Sequence, residues 1–314
     1  MNPLIETREL TYRYPRRGVV LDKVDFALYP GEKVALVGAN GAGKTTTIRM
    51  IMDIFPKDSG SIYFRGRAVA QDFRDKVGYL PEERGLYKKM KIIDTILFFA
   101  ELKGKKGPEV KQKAKEYLEK FDLWDRRNGK LEDLSKGNQQ KVQFICTIIH
   151  DPEFIILDEP FSGLDPINTN ILKDIILDLR DKGKVIIFST HLMDFAEKMC
   201  DNIAIINHGK LLANGKLSDL KSEYSKLNVS LVYEGDISFL TNHPIVEKIE
   251  NFGRSTGIRV KEKHHIQELF KLLAEHDVII KKFDANDISL HEIFVNLTGG
   301  DEETTEMVEE ATHA

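Results

Sequence analysis

Gly38-Ala-Asn-Gly-Ala-Gly-Lys-Thr45 fits the spacing GxxxxGK(S/T), and its residue types are those needed to hold a polyphosphate. Gly38, Gly41 and Gly43 let successive backbone N–H groups turn toward one anion. Asn40 and Ala42 lie in the same turn, and a helix starting at Lys44 adds its positive dipole end. Lys44 would reach the β- and γ-phosphates of a nucleotide, and the Thr45 hydroxyl, with Thr46 beside it, would face Mg2+. A glycine-rich turn with an exposed lysine is the simpler alternative, and it leaves the flanking strand and helix unexplained. A second piece is Phe154-Ile-Ile-Leu-Asp158-Glu159, an apolar strand ending in two acids at the edge of a sheet. Asp158 would hold Mg2+ through water, and Glu159 would polarise the water that attacks the γ-phosphate.

These residues need a scaffold, and the chain supplies an α/β pattern up to about residue 220. Glu32–Val37, Val77–Leu80, Phe154–Asp158, Val185–Ser189 and Ile203–Ile206 read as strands. Lys44–Met52, Asp94–Lys103, Glu109–Phe121, Ser135–His150 and Asn170–Lys182 read as helices, with Asp151-Pro152 stopping the fourth. Lys221–Lys226 is a polar joint. Beyond it, strands at Leu227–Tyr233, Ile245–Ile249, Gly257–Val260 and Val278–Phe283 and helices at His265–Glu275 and Ser289–Leu297 suggest a small βαββαβ-like module. Ser238–Asn242 is a short helix or a turn. From Gly299 the chain is acidic and poor in apolar residues, which predicts a disordered, solvated tail over 299–314.

Further motifs separate one family from other phosphate-loop proteins. Leu134-Ser-Lys-Gly-Asn-Gln-Gln140 resembles the LSGGQ signature of ABC ATPases. Ser162-Gly-Leu-Asp165-Pro166 resembles their D-loop, and Ser189-Thr-His191 their switch histidine. Tyr14 sits where the family stacks an aromatic ring on adenine, with Tyr12 a second candidate. The resemblance covers roughly residues 4–220. It implies a RecA-like core, an antiparallel β subdomain and a helical subdomain over about 83–150, within an ATPase domain over 1–222 and ahead of an accessory α+β domain over 223–298. It also implies an ATPase using ATP and Mg2+, in which Ser135, Gly137 and Asn138 of one subunit face the nucleotide held by another. Asp165 would link the two sites, and His191 would contact the γ-phosphate.

Two positions depart from the family pattern. Glu82 stands where the family has the glutamine of its Q-loop; a carboxylate there can ligate Mg2+ but adds negative charge beside the phosphates. Lys136 and Asn138 replace the usual Gly and Gln of the signature, while Ser135 and Gly137 are intact. The run Leu80-Pro-Glu-Glu-Arg-Gly-Leu-Tyr87 and the added C-terminal module resemble bacterial exporter ATPases of the sodium- and drug-efflux type. The implied partners are a second ATPase subunit and integral-membrane subunits in separate chains, on the cytoplasmic face of the membrane. Leu86, Tyr87 and Met90 would line the surface on which those subunits dock.

Composition agrees with this. A net charge of −4 gives no sign of a nucleic-acid binder, and no segment approaches the roughly 18 apolar residues of a membrane span. The N-terminus has no apolar core of a signal peptide. Cys146 and Cys200 read as reduced, buried thiols. A soluble ABC ATPase acting on ribosomes or DNA is the competing class, but such relatives carry two cassettes or long coiled coils, and here there is one cassette and no heptad run. The C-terminal module would support the dimer or bind a regulatory ligand. Its His243 and adjacent His264-His265, with no cysteine beside them, read as surface histidines.

Overall fold

Apolar runs that are hydrophobic on both faces become the centre of a sheet. Here β3 (Lys33–Val37), β7 (Phe154–Asp158) and β8 (Val185–Thr190) are buried at every position. The computed structural model describes residues 2–298 other than 15–17, 70, 84, 254, 277, 286 and 287. The acidic tail and Arg84 therefore lie outside the described residues. The chain divides into two compact units, Met1–His191 with Asn202–Asn214, and Leu192–Asp201 with the chain from Gly215 onward.

The first unit holds two sheets. β1 (Ile5–Tyr14), β2 (Gly18–Leu28), β4 (Ser59–Phe64) and β5 (Arg67–Ala68) form an antiparallel sheet in the order β2-β1-β4-β5. The second sheet runs β10-β9-β3-β8-β7-β6, with β6 at Val77–Leu80, β9 at Asn202–Asn207 and β10 at Lys210–Lys216. Its neighbours β9-β3, β3-β8, β8-β7 and β7-β6 are parallel, so their carboxyl ends share one edge. Register brings Val37 opposite Thr190, Asp158 opposite Ser189, and Leu80 opposite Leu157. Sequence segments far apart thereby place their loops side by side. The core under this edge includes Ile48, Phe154, Ile156, Ile187 and Ala204.

α1 (Lys44–Ile51) follows β3, and α2 (Ile92–Leu102), α3 (Pro108–Lys120) and α4 (Lys136–Ile148) pack on one another. Gly107 and Pro108 separate α2 from α3, as the sequence predicts, because proline suits a first helical position. α5 (Pro166–Asp181) starts four residues before the expected Asn170. Asp165 caps it by accepting from the Asn168 N–H at 3.0 Å, and Pro166 occupies the first turn, so capping chemistry rather than apolar periodicity sets the start.

His150, just past α4, is buried, and its Nε2 lies 3.3 Å from the Val77 carbonyl. Burial, reinforced by Lys103, pushes its pKa down to about 4. As pH falls below the ordinary histidine value of about 6.5, the unfolded chain takes up a proton that the folded chain refuses until about pH 4. Stability is therefore full above that window and is lost across it, by about 3 kcal/mol. Urea unfolding between pH 7 and pH 4 should show this loss, and His150→Gln should flatten it.

The second unit contains α6 (Met193–Met199), α7 (Leu217–Tyr224) and a four-stranded antiparallel sheet with two further helices. Its strands β11 (Asn228–Glu234), β12 (Val246–Asn251), β13 (Thr256–Val260) and β14 (Ile279–Asp284) take the order β12-β13-β11-β14. α8 (His265–Glu275) buries Leu269 and Leu273 in this unit's core with Val229, Leu231, Ile258 and Val260. α9 (Leu290–Thr298) closes the described chain. The position expected for a first crossover helix holds a single 3-10 turn, Ser238–Leu240. The Asp236 carboxylate accepts from the Ser238 N–H and hydroxyl at 2.8 and 2.7 Å, which favours a turn over a helix in so short a link.

Candidate nucleotide site

The phosphate loop leaves β3 at Val37 and enters α1 at Lys44. Gly43 caps the helix with φ 109, a conformation glycine adopts without penalty, and no side chain claims the first-turn N–H groups. Those donors and the helix dipole suit an anion. Asn40 and Gly41 are exposed, Ala42 is buried, and Thr45 and Thr46 are half-buried in the first turn. Lys44 is buried, and its Nζ donates to the carbonyls of Gly38 at 2.8 Å and Ala39 at 3.0 Å. Burial lowers its pKa, opposed by the charges of Glu159, Asp158 and Glu82.

Asp158 and Glu159 end β7 beside this loop. Asp158 is fully buried, and its Oδ1 accepts from Ser189 Oγ at 2.5 Å and Thr45 Oγ1 at 3.1 Å. Its Oδ2 is buried with no protein hydrogen-bond partner. Burial raises its pKa against the two hydroxyl bonds that lower it. Its Oδ2 lacks a donor, which a cation would replace. Glu159 has φ 46, a left-handed backbone rarely taken by a residue with a side chain. Its N–H donates to Ser189 Oγ at 3.0 Å, its Oε1 lies 3.9 Å from Lys44 Nζ, and the same oxygen lies 3.0 Å from His191 Nδ1.

Lys44, Thr45, Asp158, Glu159 and His191 thus form one hydrogen-bonded and ion-paired cluster. Ser189 joins it, its hydroxyl donating to the Asp158 carboxylate and accepting from the Glu159 backbone N–H, a role that position alone does not reveal. Its hydroxyl is visible in the sequence, but only β7–β8 register puts it between them. Gln143 was also missed: its amide donates to the carbonyls of Pro81 at 3.3 Å and Glu83 at 3.1 Å and so pins the loop after β6. Glu82 in that loop is exposed.

Tyr14 is half-buried and meets Tyr12 edge-on at 5.0 Å, while Tyr12 stacks on Phe55 at 5.5 Å. Tyr12 packs against the core, and both rings are half-buried. Ser135, Gly137 and Asn138 form a separate place. Ser135 caps α4, its Oγ accepting from the Asn138 N–H at 3.3 Å. A Cβ on Gly137 would stand 3.0 Å from the Gly163 carbonyl, so the signature and the D-loop touch. Ser135 and Asp165 are exposed. Among the described residues, no hydrogen bond or ion pair joins Ser135, Gly137 or Asp165 to Lys44 or Glu159.

The family profile described as "ABC transporter" matches residues 21–162, and one described as "ATP-binding protein DrrA1-3-like, C-terminal domain" matches residues 215–298. The Bacillus subtilis ABC transporter ATP-binding protein YhaQ is 41% identical over 279 residues, covering 89% of this chain and 93% of the relative. The linearmycin resistance ATP-binding protein LnrL of the same organism is 30% identical over 307 residues, covering 94% of this chain and 98% of LnrL. A solved structure of the ATP-binding subunit of an ABC transporter superimposes with a TM-score of 0.67 at 33% identity, covering 70% of this chain and 93% of that one. The chain belongs to the ATP-binding proteins of ABC transporters, the family whose ATPase domain binds and hydrolyses ATP to drive transport.

Proposed function

We propose that this chain is an exporter motor that works as a dimer around two ATP molecules with Mg2+ and drives membrane subunits carried by separate chains. The observation that carries this is the division of the site. The phosphate loop and catalytic acids are gathered in one place, while the signature serine, Gly137 and Asp165 sit in another that is open to solvent. A second copy presenting Ser135 and the α4 N-terminus would complete the anion's surroundings.

In this arrangement the loop N–H groups and Lys44 bind the β- and γ-phosphates, and Tyr14 stacks on the adenine. Thr45 and Asp158 fit Mg2+, since they offer hard oxygens and Asp158 Oδ2 has no protein partner; Glu82 stands as a further carboxylate. The ion when bound neutralises charge on the β- and γ-phosphates. Glu159 orients the attacking water and accepts its proton, while His191 holds the carboxylate from the other side and reaches the γ-phosphate. Release of phosphate then frees the dimer to open, a ligand-driven shift between two states.

Among the described residues no helix is long and apolar enough to cross a membrane. A groove of about 270 Å3 lies where β6 meets α2 and α4, lined by Tyr79, Pro81, Leu86, Phe99 and Leu102. Tyr87 and Leu102 are largely exposed beside and within it. This apolar surface suits a short helix from a membrane subunit. Resistance in the name of LnrL supports export as the direction. Tagging the chain in its native cell and extracting membranes in mild detergent should recover a multi-span protein. Recovery only in the soluble fraction, or with ribosomes, would overturn the transporter assignment and leave the ATP chemistry standing.

A further inference from the structure

The accessory unit carries a cluster that the nucleotide chemistry does not use. His264 caps α8, His265 begins it, and Glu268 lies in its first turn. One ligand atom from each of the three lies within 4.8 Å of the others. The two imidazole rings are 4.2 Å apart between centroids. Glu268 stands three and four positions after His265 and His264, and residues at those spacings share a helix face.

We propose that His264, His265 and Glu268 bind a divalent transition-metal ion of the zinc type. Three further features support this. Glu262 Oε2 lies 3.3 Å from His264 Nδ1, which orients that ring and leaves Nε2 to ligate, the carboxylate–histidine pairing common behind metal ligands. His265 Nδ1 is buried and has no hydrogen-bond partner, so a ring nitrogen stands unclaimed by the protein. Leu269 and Leu273 anchor α8 in the core, so the ligands stand on a fixed element.

Two imidazoles favour zinc, copper or nickel over magnesium or calcium, which prefer oxygen. Around Zn2+ at about 2.0–2.1 Å, tetrahedral ligands stand about 3.3 Å apart, so exposed side chains must close inward by a torsion or two. A water completes the fourth position. The positive end of α8 and the flanking Lys261 and Lys263 oppose a cation, while Glu262 and Glu268 offset them.

The test uses the full chain with any affinity tag removed and Mg-ADP saturating the nucleotide site. Calorimetric titration with Zn2+ should give one ion per chain, and Co2+ should give the visible absorption of a low-coordinate nitrogen and oxygen site. The double variant His264→Ala/His265→Ala should lose both signals. Glu268→Gln should weaken binding by about tenfold or more, and Glu262→Gln by about tenfold with stoichiometry kept. Circular dichroism and ATPase activity without added zinc should match the parent in every variant. Binding by the double variant equal to the parent's, or an unchanged titration in Glu268→Gln, overturns the site.

Discussion

Glu159→Gln should abolish steady-state ATP hydrolysis while leaving ATP binding intact. The substitution keeps the length and shape of the side chain at a backbone position of φ 46, so the chain end of β7 is not disturbed. It removes the carboxylate that His191 Nδ1 faces at 3.0 Å and that lies 3.9 Å from Lys44 Nζ. A group that accepts a proton from attacking water contributes about 10^2- to 10^4-fold. Phosphate release should fall by that factor, and affinity for a fluorescent ATP analogue should change little. Turnover at a tenth of the parent rate or better would show that another residue activates the water.

Lys44→Ala should instead lose the nucleotide itself. Lys44 is buried under its own loop, with its ammonium held by the Gly38 and Ala39 carbonyls and within reach of Glu159. Charged hydrogen bonds of this kind contribute about 1.5–3 kcal/mol, or roughly 10- to 150-fold in affinity for the triphosphate. The loss leaves Asp158 and Glu159 without the nearest positive charge, so their mutual repulsion adds to it. Equilibrium titration with a fluorescent ATP analogue separates the two variants: weaker binding for Lys44→Ala, unchanged binding for Glu159→Gln. Equal affinity in both would remove Lys44 from phosphate binding.

Along the chain, local chemistry was legible wherever a few neighbouring residues decide the backbone. α8 runs over His265–Glu275 as its periodicity predicts, and β7 and β6 end where their apolar runs end. The apolar pattern starts α5 at Asn170, but the Asp165 cap outweighs it and the helix starts at Pro166. Hydropathy leaves Ser238–Asn242 open between helix and turn, and the 3-10 turn at Ser238–Leu240 follows from Asp236 side-chain bonds that hydropathy does not register. Hydropathy marks none of β1, β2, β4 and β5 as a strand, since each depends on its partners' register, with bulges along the β1–β2 pairing.

By itself the sequence determined the phosphate loop and the acidic strand end as chemical types, because glycine spacing, a strand-terminal carboxylate pair and a helix start act over a few residues; His191 stands out only through the family resemblance. Only the tertiary structure decided which of these atoms meet. Thr45 and Asp158 are 113 positions apart, and Glu159 and His191 are 32 apart, yet each pair is hydrogen-bonded because β3, β8 and β7 align in parallel register. The same is true of Ser189 beside Asp158 and Glu159, and of the left-handed backbone of Glu159. Such contacts follow from how strands pair and helices turn over the core, and local periodicity specifies neither.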